Sequence, residues 1–351
     1  LRAGEPALVE PAVQHAVSRL EQKGELLRSE SGDRWFAARR NPHRHVSLRQ
    51  AGASYTIVLS GSTDAKGRPR MIGQVGAGNV YTECHEGAIY LHAGRSFQVK
   101  KLELDERRVT VEPVEAIHFT RAQTEKETEI LTRERTRPVG NFRLAQGRVK
   151  VTTHVTSYER RRVRGQELLG TEPLDLPPTS IETTSVWLEM PDELTAVIEG
   201  EGGHFMGGIH AVEHAALAVF PLFALCDRFD VAGISQTCHP QIGHPAIFFY
   251  DGQEGGFGLA PSVFDHIEPL LETTQQLIGD CPCETGCPSC VHSPRCGNGN
   301  RPIDKQAALR VIELLLGKEP LPELPPERLV TSRSGVEPAG RQPVVDEGDG
   351  P

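Results

Sequence analysis

Residues 281–296 read Cys-Pro-Cys-Glu-Thr-Gly-Cys-Pro-Ser-Cys-Val-His-Ser-Pro-Arg-Cys, and the reading of this run decides what kind of fold the C-terminal part of the chain can have. Zinc takes four thiolate or imidazole ligands at tetrahedral corners, and a two-residue gap lets one tight turn deliver two sulfurs to the same ion. From Cys283 onward the spacing is C-x3-C-x2-C-x5-C, with Gly286, Pro288 and Gly297 available for the turns. The expected ligands of one structural zinc ion are therefore Cys283, Cys287, Cys290 and Cys296, with Cys281 spare and His292 as a substitute. An iron–sulfur cluster and redox-active thiols are the other uses of such a run. A disulfide framework would spread its cysteines along the chain. Of the eight cysteines only Cys84, Cys226 and Cys238 are scattered, so the clustering favours metal.

Outward from that run, composition narrows the options. The 351 residues suit two or three globular units, and the net charge of -9 argues against a whole-molecule polyanion binder. Any nucleic-acid surface must be a local patch. No stretch approaches 18 consecutive apolar residues and no signal peptide opens the chain, so a cytoplasmic location with no membrane partner is expected. The chain opens at Leu1 rather than Met, which leads us to expect a piece of a longer polypeptide.

The predicted fold class is α+β multidomain: a winged helix over 1–45, a β-rich barrel-like domain over 46–200, an α/β zinc-binding domain over 201–317 and a disordered tail over 318–351. Val13, Val17 and Leu20 recur at helical spacing after Pro11, and Gly24 can close that helix. Leu26 and Leu27, the turn-rich Ser29–Asp33, then Trp35 and Phe36 read as a hairpin. From Arg28 to Arg49 there are six Arg and two acids, a local +4. That basic wing makes Arg28, Arg34, Arg39, Arg40 and Arg44 the candidate DNA contacts. A solvated face on a docking domain is the other reading. Arg160, Arg161, Arg162 and Arg164 form a second basic run, read as a solvated hairpin end in preference to a phosphate contact.

The segments 55–59, 88–91, 97–99, 109–111 and 185–190 are short, β-branched or aromatic and bounded by turn residues, as strands require. From about residue 204 the pattern turns to α/β. A buried helix is expected over 211–225 with a kink at Pro221, then an apolar strand over 246–250, a glycine-rich turn over 252–258, and helices over 262–278 and 305–316. Beyond Gly317 apolar residues are few.

His210-Ala-Val-Glu-His214 matches H-x-x-E-H, in which two histidines one helical turn apart hold zinc and the glutamate serves as base. It carries the alternative reading of a metal-dependent hydrolase using His210, Glu213 and His214, set against His210 and Glu213 merely facing a polar seam near the helix start. The glycine-rich turn after Tyr250–Asp251 sits where α/β units often meet a ligand, or serves only a tight turn. No G-x-x-x-x-G-K-[ST] loop occurs, and the single D-E-x-[HD] match, Asp346-Glu347-Gly348-Asp349, stands near the end of the sequence with no such loop before it, so this chain has no P-loop ATPase of its own.

Taken together, Gly208-x4-Glu213-His214-Ala215, Phe249-Tyr250-Asp251 with Gly255-Gly256-x-Gly258, the spacing Cys281-x-Cys283-x3-Cys287-Pro288-Ser289-Cys290-x5-Cys296-Gly297-Asn298-x-Asn300, and Asp304-Lys305 resemble the C-terminal zinc-binding domain of superfamily 2 DNA helicases of the MrfA/YprA type. The resemblance covers about 205–317 and extends to His85-Glu86-Gly87-Ala88-Ile89-Tyr90 in the middle region. It implies the accessory part of an ATP-dependent 3′-to-5′ DNA translocase or helicase acting in DNA repair. The partners it implies are single-stranded DNA and N-terminal RecA-like motor domains of the same parent chain, in a monomer. Its cofactor would be one structural zinc, and it transfers no catalytic residue to this chain.

Overall fold

The computed structural model describes residues 1–40, 54–228 and 230–322. Arg44 and the tail from 323 lie outside the described residues. The chain divides into two units, 1–51 and 52–351.

In the first unit Pro11 opens helix α1 (Pro11–Gln22), where its missing N–H costs nothing. Strands β1 (Leu26–Arg28) and β2 (Trp35–Ala37) pair antiparallel. This is the expected order of helix, strand, turn and strand. The Trp35 indole donates to Glu21 at 2.8 Å, tying the hairpin to α1.

Among the described residues the second unit contains two sheets. Strands β3 (Ser54–Thr63), β4 (Pro69–Gly76), β5 (Ile89–His92), β6 (Arg95–Glu103) and β7 (Arg108–Pro113) form a five-stranded sheet in the order β4-β3-β7-β6-β5. Helix α2 (Ala77–Glu83) lies between β4 and β5 in the chain. Ile57, Val99, Val109 and Val111 are buried on the core face of this sheet. The expected strands 55–59, 97–99 and 109–111 fall within β3, β6 and β7, and 88–91 overlaps β5, which starts one residue later.

The second sheet is the platform for everything downstream. Its strands are β8 (His118–Val139), β9 (Phe142–Arg162), β10 (Leu168–Pro173), β11 (Thr179–Glu189), β12 (Val231–Gln236) and β13 (Ala246–Asp251). β9 pairs with β8 along one edge and with β10 and β11 along the other. β13 then joins β11 to β12, all antiparallel. The boundary expected at residue 200 is therefore not a break between sheets, because β11 pairs directly with β13 across it. β13 is buried at all six positions, and its apolar run is what a strand covered on both faces requires. Ile247 and Phe249 point to one core, Phe248 and Tyr250 to the other.

Helices α3 (Asp192–Gly200), α4 (Phe205–Val219), α6 (Ile267–Asp280) and α7 (Lys305–Leu315) cover the first of those faces, and the short α5 (Leu259–Ser262) follows β13. α4 is apolar on nearly every side and is accordingly enclosed. It starts at Phe205, earlier than expected, and stops before Pro221, where the chain makes a short 3-10 turn instead of kinking. Phe205–Leu222 is long and apolar enough to span a membrane, yet 72% of it is buried inside this protein, as befits a core helix. Gly207 and Gly208 let α7 approach. A Cβ on Gly207 would lie 2.9 Å from the Asp304 nitrogen, and one on Gly208 would lie 3.0 Å from the Ala307 Cβ.

β8 is fastened to the helical layer by arginines. Arg137 makes a bidentate pair with Glu268, both bonds at 2.6 Å, and donates to the Phe264 carbonyl at 2.9 Å. Arg135 pairs with Asp265 at 2.8 Å and lies 4.1 Å from the Phe264 ring centre. Arg133, on the far side of a register shift, sits over Trp187 and pairs with Glu189 at 2.6 Å.

The Arg137 guanidinium holds the Glu268 carboxyl below its ordinary 4.5. A depressed folded-state value contributes stability that is present above 4.5 and lost as pH falls through the lower value. Because both groups are partly exposed, Arg137→Met is expected to cost only about 1 kcal/mol at neutral pH. In urea melts, the gap from the parent should close as the pH is lowered through the acid range. A second prediction concerns the β8–β9 crossing. A Cβ on Gly147 would overlap the Thr132 carbonyl oxygen and lie 2.8 Å from its carbon, so Gly147→Ala should destabilise by roughly 2 kcal/mol or more. A chemical melt within a few tenths of a kcal/mol of the parent would refute this packing.

Candidate metal centre

α6 ends at Cys281, whose backbone is extended (φ -73°, ψ 123°). In extended chain, residues two apart face the same side. This brings the sulfurs of Cys281 and Cys283 to 3.6 Å. The chain then turns at Gly286, whose φ of 115° suits only glycine and whose position a Cβ would fill at 2.5 Å from Val291. A tight turn follows, in which the N–H groups of Cys290 and His292 both donate to the Cys287 carbonyl at 3.1 Å. It delivers two more sulfurs to the same point. Cys281 to Cys287 is 3.5 Å, Cys283 to Cys290 is 3.5 Å and Cys287 to Cys290 is 3.8 Å.

Those separations test the fit of a metal. A zinc–sulfur bond of about 2.3 Å gives a tetrahedron with edges of about 3.8 Å, close to every one of these distances. A disulfide would need sulfurs at about 2.05 Å, and all eight cysteines are free thiols. The Ser289 backbone N–H holds the Cys287 thiol at about 6, so it is readily available as thiolate, whereas burial pushes Cys290 up to about 12. Four thiolates around a divalent ion carry two net negative charges. Lys305, the first residue of α7 and only 4% exposed, donates to the carbonyls of Cys281 and Cys283 at 2.6 Å each. Its ammonium offsets that charge and closes the loop on itself. Asp304 caps α7 by accepting from the Ala307 N–H at 2.9 Å and also accepts from the His204 N–H at 2.9 Å, joining the starts of α7 and α4.

The ligand set expected from spacing needs one correction. Cys281 stands in the cluster, and Cys296 does not. Beyond Cys290 the chain buries Val291 completely in the helical core and so leaves the knuckle. Cys296 emerges instead against α4, 3.4 Å from His210 Nε2. The one-residue gap between Cys281 and Cys283 is not the two-residue spacing of a zinc knuckle, and only the extended backbone at the end of α6 makes it a ligand pair. His210, His214 and Cys296 form a second group whose ligand atoms all lie within 4.8 Å of one another, every residue buried. Burial pushes the Cys296 thiol up, but hydrogen bonds from His210 and His214 outweigh it and hold it at about 5.

The remaining candidates resolve differently. Glu213 accepts from the Ser235 hydroxyl at 2.7 Å and is packed against Gly233. The H-x-x-E-H stretch therefore places its two histidines together and turns its glutamate toward β12. That arrangement does not fit a hydrolase, which would need the base beside the metal. In the glycine-rich turn, Asp251 is fully buried and accepts from the N–H groups of Phe257, Leu259 and Ala260 at 2.5, 3.1 and 2.6 Å. A Cβ on Gly256 would lie 2.9 Å from the Thr184 nitrogen. The turn is thus a structural knot about one carboxylate. Arg160, Arg161 and Arg162 pair with Glu172, Glu159 and Glu167 at 3.1, 2.6 and 3.2 Å. In the first unit Arg28 donates to the Gly32 carbonyl at 3.0 Å and lies over Trp35, while Arg34 adjoins Asp33 at 3.7 Å. Arg39 and Arg40 are exposed just beyond β2.

Comparison with known proteins gives the centre its context. Residues 212–291 match the family model of the MrfA Zn-binding domain, which together with the four-sulfur cluster makes zinc the cofactor of this chain. An ATP-dependent helicase of Bacillus subtilis, YprA, is 31% identical over 269 residues, spanning 76% of this chain and 35% of its own. An uncharacterised Methanocaldococcus jannaschii protein, MJ1572.1, is 37% identical over 111 residues, which cover 31% of this chain and 99% of that protein. The crystal structure of the DUF1998 helicase MrfA bound to DNA is similar at a TM-score of 0.51 and 28% identity, over 86% of this chain and 39% of that one. The chain thus spans 35% of the first of these helicases and 39% of the crystallised one. It belongs to the family that carries the MrfA zinc-binding domain, and it corresponds to the C-terminal region of MrfA/YprA-type helicases.

Proposed function

We propose that this chain is the accessory C-terminal module of an ATP-dependent 3′-to-5′ DNA translocase of the repair type, which holds one structural zinc in Cys281, Cys283, Cys287 and Cys290 and contributes contacts to single-stranded DNA. RecA-like motor domains of the parent polypeptide would supply ATP hydrolysis, since no P-loop occurs in these 351 residues. The observation that carries the reading is the four-sulfur tetrahedron at the junction of α6 and α7, in a fold that resembles a DNA-bound helicase. Structural zinc sites are closed by four protein ligands and supply folding energy, not chemistry. A monomer in a reducing, DNA-containing compartment fits both the free thiols and the DNA partner; this is the cytoplasmic placement expected above.

Cys281→Ser is the substitution that separates this ligand set from the one read by spacing alone. It should remove this zinc and lower the melting temperature by many degrees, because the ion's binding energy is folding energy. An unchanged melt with this zinc retained would return the fourth place to another residue.

For DNA, the basic wing is the proposed footprint: Arg39 and Arg40, which make no ion pair among the described residues, with Arg28 and Arg34 of the hairpin and Arg44 further along the sequence. Neutralising a phosphate contact lowers affinity and flattens its salt dependence, by about one unit of log–log slope for each contact on duplex DNA and somewhat less on single strands. The double variant Arg39→Gln, Arg40→Gln should weaken binding of the whole chain to a labelled single strand and reduce that slope, whereas Arg328→Gln, Arg333→Gln should do neither. Equal losses, or binding that ignores salt, would refute the footprint.

A further inference from the structure

We propose that His210, His214 and Cys296 bind a second metal ion, a zinc-class divalent cation distinct from the one held by the four-cysteine cluster. The inference rests on residues that the zinc-binding reading above leaves unused.

The first observation is the orientation of the two imidazoles. His210 Nδ1 lies 2.8 Å from the Pro302 carbonyl oxygen, and His214 Nδ1 lies 2.8 Å from that of Val291. A carbonyl oxygen only accepts, so each Nδ1 carries a proton and Nε2 is the atom turned to the site, donating to the Cys296 thiolate while protonated and presenting its lone pair once an ion displaces that proton. Metal-bound histidines are fixed in this same way, by a backbone or carboxylate acceptor on the other ring nitrogen. The two rings stand one helical turn apart on α4, with centroids 4.3 Å apart and planes inclined at 61°.

The second observation is the sulfur that faces them. Cys296 Sγ lies 3.4 Å from His210 Nε2. Zinc–sulfur and zinc–nitrogen bonds of about 2.3 and 2.05 Å at the tetrahedral angle give a sulfur–nitrogen edge of about 3.5 Å. The same sulfur accepts from the Asn300 N–H at 3.2 Å. Asn300 holds a left-handed φ of 62° and accepts from the Ser293 N–H through Oδ1 at 2.7 Å. The loop curls around the sulfur and aims a donor at it, as loops around ligated thiolates do.

The third observation is enclosure and charge. The three residues are only 5, 6 and 8% exposed, a poor environment for an uncompensated thiolate, and one that a divalent ion would neutralise. Two imidazoles and one thiolate are the donors of a borderline cation such as zinc or cobalt rather than of calcium or magnesium. Three protein ligands leave a fourth corner for water. With Glu213 directed to Ser235, the ion would have no carboxylate base beside it. Its role is to pin residues 291–302 to α4.

The test is metal stoichiometry and ligation in the intact chain, saturated with zinc and desalted. The expected result is two ions per chain and a zinc X-ray absorption spectrum that contains imidazole scattering. His210→Gln with His214→Gln should give one ion and a sulfur-only shell, while Cys281→Ser should keep imidazole scattering in what remains. One ion per chain with a sulfur-only shell in the unmodified protein would overturn the second site and leave the four-cysteine site standing, whatever the variants do. One ion with imidazole ligation would do the reverse. No bound ion at all would overturn both, leaving a hydrogen-bonded thiol and imidazole pair.

Discussion

Residues 281–304 join two buried helices without a single helical or strand residue of their own, and what restrains them is the convergence of cysteine sulfurs. A compact domain rarely tolerates so long an irregular connection unless something other than backbone hydrogen bonding restrains it. Here four thiols within 3.5–3.8 Å along the contacts between them would repel one another once ionised. A divalent cation converts that repulsion into a cross-link between the end of α6 and the start of α7. Lys305 extends the same logic, a buried ammonium bonded to two carbonyls of the cysteine loop.

The clasp acts on a platform that the rest of the unit provides. The antiparallel sheet from β8 to β12 buries one face under α3, α4, α6 and α7, and β8 reaches across to the metal loop. Arg121 donates to the Cys296 carbonyl at 3.0 Å, and a Cβ on Gly297 would lie 2.9 Å from the Thr124 carbonyl oxygen. Close approach of backbone to backbone at Gly207, Gly208 and Gly297 leaves the loop little freedom. The zinc region is therefore not an appendage but the last layer of the sheet domain, which explains why a boundary at residue 200 does not divide it.

How much of this could be read from the residues depended on where the physical signal lay. Short strands with apolar alternation, the apolar run 246–250 that fills β13 up to Asp251 and the amphipathic α7 announce themselves. The long strands β8 and β9 do not, because β8 between Glu125 and Arg137 is dominated by Glu, Thr and Arg, largely exposed side chains. Its pairing with β9 and its arginine clamps onto Glu268 and Asp265 are tertiary facts. The zinc run was legible as a metal site from clustering alone. Its ligand set was not, since spacing cannot tell that Cys281 ends a helix in extended conformation, or that Val291 sinks into the core and carries Cys296 away. Likewise H-x-x-E-H identified two histidines on one helix face but not that Glu213 turns to Ser235.

The central claim is that Cys281, and not Cys296, completes the zinc tetrahedron. Diffraction data collected on either side of the zinc absorption edge test it most directly. The account predicts an anomalous peak about 2.3 Å from the sulfurs of Cys281, Cys283, Cys287 and Cys290. A peak coordinated by Cys283, Cys287, Cys290 and Cys296, with Cys281 turned away, would contradict it.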